Sequence, residues 1–153
     1  MGLERDNQTV ETDSFIPTRW RSSVMFSGRD FGVEVCERTT GLHALTLWKM
    51  REGLAAQHPE LPTVECTYRI DRVRETMEEA VSAALDVGEL HAIGILRFAA
   101  EYSARVVIHV ELEQFEGSVP LSLPSELVAR MAALGCSLAV SVPLAWSYPG
   151  AEE

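Results

Sequence analysis

The chain contains a single lysine, Lys49, and its 13 basic residues face 23 Asp and Glu, leaving a formal net charge of -10. A deficit of this size argues against nucleic acid as a partner, because affinity for a phosphate backbone comes from neutralising it with basic side chains. Anionic membrane surfaces are a poor match for the same reason. Long apolar runs are also missing: nothing approaches the stretch of about 20 residues that a bilayer requires. The opening MGLERDNQTVETDS is too polar for a signal peptide, so a soluble, cytoplasmic protein is expected. The three cysteines, Cys36, Cys66 and Cys136, form neither a CxxC pair nor an even disulfide framework, and read as small buried hydrophobes. Glycines follow neither GxGxxG nor GxxxxGK[ST], which removes the usual phosphate cradles, and no GxSxG elbow is present. His43, His58, His91 and His109 lie near no cysteine or serine signature. No cofactor is expected, and the chain does not read as an enzyme.

What is present suffices for one core, since 153 residues with 46% hydrophobic content match the commonest domain size. Residues 1–14 and 148–153 lack apolar periodicity and read as a disordered arm and a tail around a single domain at 15–147. Trp20 to Val35 reads as a strand, a turn at Gly28–Gly32 and a second short strand. The following segment reads as a helix with Thr40 as N-cap and Leu47, Met50 and Leu54 at helical spacing, closed by His58 and Pro59. ALTLW within it also alternates like a strand.

Beyond the PELP turn the pattern is clearer. Val64, Cys66, Tyr68 and Ile70 alternate with polar residues as in a half-buried strand. Asp71 is the expected cap of a helix whose apolar stripe is Val73, Met77, Ala80, Val81, Ala84 and Leu85, with Gly88 as its stop. HAIGILRF and ARVVIHVELEQF read as a hairpin, joined by AAEYS. Pro124, Leu127, Met131, Leu134 and Gly135 define a second helix. Leu138, Val140, Val142 and Leu144 give a last strand, with Pro143 placing it at a sheet edge. The order over 63–146 is β-α-β-β-α-β, a ferredoxin-like α+β fold with two helices on one sheet face and an N-terminal strand and helix extending it.

Charge is unevenly distributed: residues 63–153 hold 6 basic and 14 acidic residues, against 7 and 9 in 1–62. Helical spacing groups Glu75, Glu78, Glu79 and Asp86 on one face, near Glu89. A charged helix face is usually just solvated, but it also steers association with a basic partner. Strand alternation sets His109, Glu111 and Glu113 on a common face at intervals of roughly 7 Å. With His91 they form a candidate N/O metal set. The plainer reading is a solvated sheet face on which Arg69, Arg97 and Arg105 pair with Glu65, Glu111 and Glu113. Trp20 and Trp48 suit either interface anchors or core, and Trp146 and Tyr148 suit one end of the core.

The runs TYRIDRVRETMEEAVSAALD, ILRF, VVIHVELEQF and LSLPSELVARMAALGCSLAVSV, within 63–146, resemble a family of small bacterial α/β proteins grouped as a numbered domain of unknown function. That resemblance implies a fold and no settled activity. In fold and charge the chain is also similar to immunity proteins of bacterial toxin systems. The expected function is therefore a non-enzymatic, immunity- or inhibitor-like binding module. It would meet a basic protein such as a toxin through Glu75, Glu78, Glu79, Glu111 and Glu113. The alternatives are a small-ligand regulatory domain, homodimeric through sheet edges, and a metal enzyme using His91, His109, Glu111 and Glu113.

Overall fold

The computed structural model describes residues 17–143. The 1–14 arm, the 148–153 tail, Leu144, Trp146 and Tyr148 therefore lie outside the described residues. Elements run β1 (Arg19–Gly28), α1 (Val33–Thr40), β2 (Thr46–Lys49), α2 (Glu52–Gln57) and β3 (Val64–Arg69). They continue with α3 (Met77–Leu90), α4 (Ala92–Tyr102), β4 (Arg105–Gln114), α5 (Ser125–Leu134) and β5 (Cys136–Ser141). The five strands form one mixed sheet in the order β2-β3-β1-β4-β5, antiparallel throughout except for the parallel β4–β5 pair.

The class is α+β, as expected, but the ferredoxin-like order is not what forms. HAIGILRF contributes α4 instead of a strand, so the described part of that segment, 63–143, runs β-α-α-β-α-β. An apolar stretch of eight residues fits a buried strand or one side of a helix equally well, and distant contacts decide. Here Ile95 and Phe98, one helical turn apart, are fully buried, and Phe98 packs edge-on to Phe26 at 5.7 Å and Phe31 at 4.9 Å. Gly94 lets α4 press onto the end of α1, since a Cβ there would stand 2.5 Å from the Thr39 carbonyl oxygen. The hairpin partner expected for β4 is accordingly replaced by β1, which pairs with it from Arg19↔Gln114 to Ser27↔Arg105.

The N-terminal third is also rearranged. Val33 and Val35 suggested a strand, yet VEVCERTT is helical, burying Cys36 and Thr40 one turn apart. Thr40 closes this helix instead of opening one: its hydroxyl donates to the Cys36 carbonyl at 2.6 Å, and Gly41, at φ 82, turns the chain away. The long helix expected over 40–58 becomes strand β2 and the short α2.

Three elements follow the sequence pattern closely. β3 and β4 carry the expected alternation, and α5 starts after Pro124 and ends at Gly135, φ 68. β5 is an edge strand, with Pro143 beyond its end. The α3 stripe is right, but its limits differ. The backbones of Trp20 and Arg74 exchange hydrogen bonds of 2.7 and 2.8 Å, which holds the chain after Asp71 extended, so the cap is Thr76. Gly88 does not stop α3. A Cβ there would lie 2.5 Å from Leu134 Cδ2, so this glycine seats α3 against α5.

Helices α1, α3, α4 and α5 share the side of the sheet to which Trp20, Val24 and Phe26 of β1, Cys66 of β3 and Val106, Ile108, Val110 and Leu112 of β4 point, and these residues form the core. Arg21, Ser23, Met25 and Ser27 of β1 point to the other side, beside Arg69, Thr67 and Glu65 of β3 and Glu111, His109, Val107 and Arg105 of β4. Trp20 is fully buried and belongs to the core, whereas Trp48 on the edge strand β2 is 48% exposed.

Candidate functional site

The layered fold separates the five glutamates expected to act together. Glu75, Glu78 and Glu79 lie at or just before the start of α3, on the helical side. Glu111 and Glu113 project from β4 on the opposite sheet face. On that face their charge is answered. Arg21 Nε donates to Glu113 Oε1 at 2.5 Å, and this bond, with Arg19 and Arg69 nearby, holds the Glu113 carboxyl below its ordinary value of 4.5. Glu111 and Asp71 in turn help to keep the Arg21 guanidinium charged. The pairing expected of Arg69, Arg97 and Arg105 is thus taken by Arg21, and Arg97 belongs to α4.

The metal set does not assemble. Among the described residues no group of three His, Cys, Asp or Glu side chains could hold an ion. His109 Nε2 lies 2.7 Å from the Ser141 hydroxyl on the neighbouring strand β5, while His91 sits at the α3–α4 junction. The cysteines behave as the sequence suggests for Cys36 and Cys66, which are buried, and Cys136 is half-buried. Hydrogen bonding to Cys66, together with burial, holds the Cys36 thiol far above its ordinary value.

On the helical side α3 and α5 enclose a groove of about 330 Å³, lined by Glu78, Glu79, Ser82, Ala83 and Asp86 from α3 and by Glu126, Leu127 and Arg130 from α5, with Arg74 and Pro124 at its ends. The i, i+4 and i, i+3 spacing on α3 is what aligns these carboxylates. Arg130 spans the two helices: Nη2 donates to Asp86 Oδ1 and Glu89 Oε1 at 2.7 Å each, and Nε donates to Glu89 Oε2 at 2.9 Å. Those bonds lower the Glu89 carboxyl below its ordinary value and raise the Arg130 guanidinium. Glu79 accepts from the Thr76 hydroxyl at 2.9 Å while Thr76 caps the Glu79 amide at 3.1 Å, a reciprocal arrangement that opens the helix. None of the ion pairs among the described residues includes Glu75, Glu78 or Glu79.

Family models, curated proteins and solved structures were all compared with the chain. None of them matches.

Nothing in these comparisons bears on the resemblance of 63–146 to a bacterial domain family. Sequence reasoning found the acidic helix face through its spacing. It missed Arg130 as the bridge, although a lone arginine on the exposed face of α5 was visible, and it missed Arg21, which lies 92 positions from its partner. The buried Arg74 Nε and Trp20 Nε1 have no hydrogen-bond partner among the described residues, and nothing in the sequence marks them.

Proposed function

We propose that this protein is a non-enzymatic binding module of the immunity or inhibitor kind, which holds a basic partner protein, such as a toxin, against the helical side of the fold. The observation that carries the reading is the segregation of charge by layer. On the sheet face Glu111 and Glu113 stand among Arg19, Arg21 and Arg69, whereas Glu75, Glu78 and Glu79 beside the α3–α5 groove have no ion-pair partner among the described residues. A face with unanswered charge of one sign attracts a partner of the opposite sign and accelerates encounter. The binding set accordingly contracts to Glu75, Glu78 and Glu79, with Glu126 across the groove, and Glu111 and Glu113 take part in the internal charge network of the sheet. The free thiols suit a reducing compartment such as the cytoplasm. Among the described residues no helix is long and apolar enough to cross a membrane.

The test is affinity capture from the native host with the wild-type protein and with an E75Q/E78Q/E79Q variant, followed by identification of what is retained. Gln at 79 preserves the helix-opening hydrogen bonds, so the variant removes charge without removing the cap. The expected result is a strongly basic protein retained by the wild type, released by salt and lost from the variant. Equal retention by both proteins, or an acidic partner, would overturn the proposal.

A further inference from the structure

β2 is the outermost strand of the sheet, and among the described residues no strand pairs with its free side. All of its residues are exposed. Natural sheets blunt such an edge with charge, proline or a covering element, because its unpaired backbone groups invite another strand. Leu47 and Lys49 lie opposite Cys66 and Val64 and face the helical side, whereas Trp48, opposite Glu65, faces the open side. Leu47 is 39% exposed and Trp48 48%, so both faces of the edge show apolar surface. The short α2 that follows buries none of its residues, although a helix of this length depends on packing for its stability. Among the described residues nothing covers this strand and helix.

The direction of the free backbone groups limits what can pair there. The Ile70 amide donates to the Ser22 carbonyl at 3.0 Å, so the even-numbered residues of β3 bond to β1, and Glu65 and Thr67 turn to β2. Their partners Trp48 and Thr46 use their backbone groups inside the sheet, and Leu47 and Lys49 turn theirs outward. Leu45 would continue the row, but its amide already donates to Glu37 Oε2 at 3.2 Å. We infer that this edge joins a second copy of the chain, β2 against β2 in antiparallel pairing, about a two-fold axis that passes normal to the sheet at Trp48. Leu47 of each copy then exchanges backbone hydrogen bonds with Lys49 of the other, which uses the outward groups of both residues. Trp48 meets its own counterpart on the open face, in the close position between hydrogen-bonded pairs where aromatic side chains stabilise one another. Arg51, still extended at ψ 139, comes opposite Leu45 and so beside Glu37, with Lys49 diagonal to it. Neither Glu37 nor Lys49 nor Arg51 takes part in an ion pair among the described residues. Charge also favours this edge: residues 46–51 hold two basic residues and no acidic one, so copies that each carry -10 meet where the local charge is not negative. The contact uses the same patch on both copies and closes as a dimer, with one continuous sheet and both helical layers on the same side. It is independent of the acidic groove and goes beyond the partner-binding reading.

The experiment is sedimentation equilibrium of the full chain at micromolar concentrations, with carbodiimide coupling of an equal mixture of isotopically light and heavy protein. Lys49 is the only lysine, so an amide formed through its side chain has one origin. The expected results are a species of twice the chain's mass and a coupled peptide that joins Lys49 of one isotope to Glu37 of the other. Trp48→Glu sets two carboxylates against each other at the axis and should weaken the dimer by about tenfold or more. A Lys49→Glu, Arg51→Glu variant should weaken it likewise, and adding Glu37→Lys should restore it. Trp48, Lys49 and Arg51 are exposed, and circular dichroism of each variant should match the wild type. A monomer at every concentration, open-ended assemblies, coupling confined to single copies, or a dimer indifferent to Trp48→Glu would overturn the inference.

Discussion

Replacing Gly94 by Ala probes the element in which structure and sequence pattern diverge most. In an unobstructed helix this change is favourable by about 1 kcal/mol, because Ala restricts the unfolded chain and fits the helix. At Gly94 the added Cβ would meet three backbone atoms, the Thr39 oxygen at 2.5 Å, the Thr40 oxygen at 2.8 Å and the Thr40 Cα at 2.9 Å. Ordinary contact begins near 3.4 Å, so α4 would have to retreat from α1 by about 0.9 Å, against backbone that no rotamer change can clear. Overpacking a tight contact costs about 1–3 kcal/mol, and more where backbone must move, so a net loss of about 2 kcal/mol is expected after the helix gain. At this chain length 1 kcal/mol is worth about 2–4 °C, which places the expected fall in Tm at about 4–8 °C. Gly53 in α2, with nothing within 4 Å of its Cβ position, is the control, and Gly53→Ala should leave Tm unchanged or raise it. Thermal unfolding followed by circular dichroism on both variants gives the answer. A Gly94→Ala protein as stable as the wild type, or more so, would refute the packing of α4 onto α1 and with it the placement of His91.

Phe98→Ala removes a fully buried ring that packs against Phe26, Phe31 and Tyr102, and chemical denaturation should show a loss of about 3–5 kcal/mol. Glu89 and Glu113 both have carboxyls lowered by hydrogen bonds from arginine, so their contribution to stability is complete above the ordinary value of 4.5 and is lost as the pH falls through the lower folded-state values. Stability measured by urea unfolding from pH 6 downward should therefore decline less steeply below pH 4.5 in an Arg21→Gln, Arg130→Gln double variant than in the wild type; identical slopes would remove these pairs from the acid response. Cys36 and Cys66 are both fully buried, so burial should keep either from reacting with a thiol reagent at neutral pH until the protein unfolds, as mass spectrometry of the labelled sites would show.

The parts of this fold that could be read from the sequence are those whose periodicity reports a single buried face. β4 alternates Val106, Ile108, Val110 and Leu112 against polar neighbours, and α5 combines a regular apolar set with Pro124 and Gly135 at its ends. Where long-range packing outweighs local preference, the reading fails. Val33 and Val35 are β-branched, yet α1 forms because Cys36 and Thr40 bury against the sheet and Gly41 supplies the turn. α4 is apolar enough to pass for a strand, and only its contact with α1 and the Phe26–Phe31–Phe98 cluster assigns it. The strand order was equally hidden, since alternation gives a strand its face and says nothing of its neighbour. The same limit applies to function. Spacing on α3 revealed the acidic face, but the neutralisation of Glu113 needs Arg21 from a strand distant in the chain, and the free edge of β2 follows from a strand order that spacing does not show.

If unanswered negative charge on the helical layer recruits a basic partner, as proposed, the association rate of the captured partner depends on ionic strength, and stopped flow from about 50 mM to 500 mM measures it. The wild-type rate should fall by at least about tenfold over this range, while the E75Q/E78Q/E79Q protein should start near the wild type's high-salt value and change little. A wild-type rate insensitive to salt, or a variant that follows the wild-type curve, would contradict the proposal.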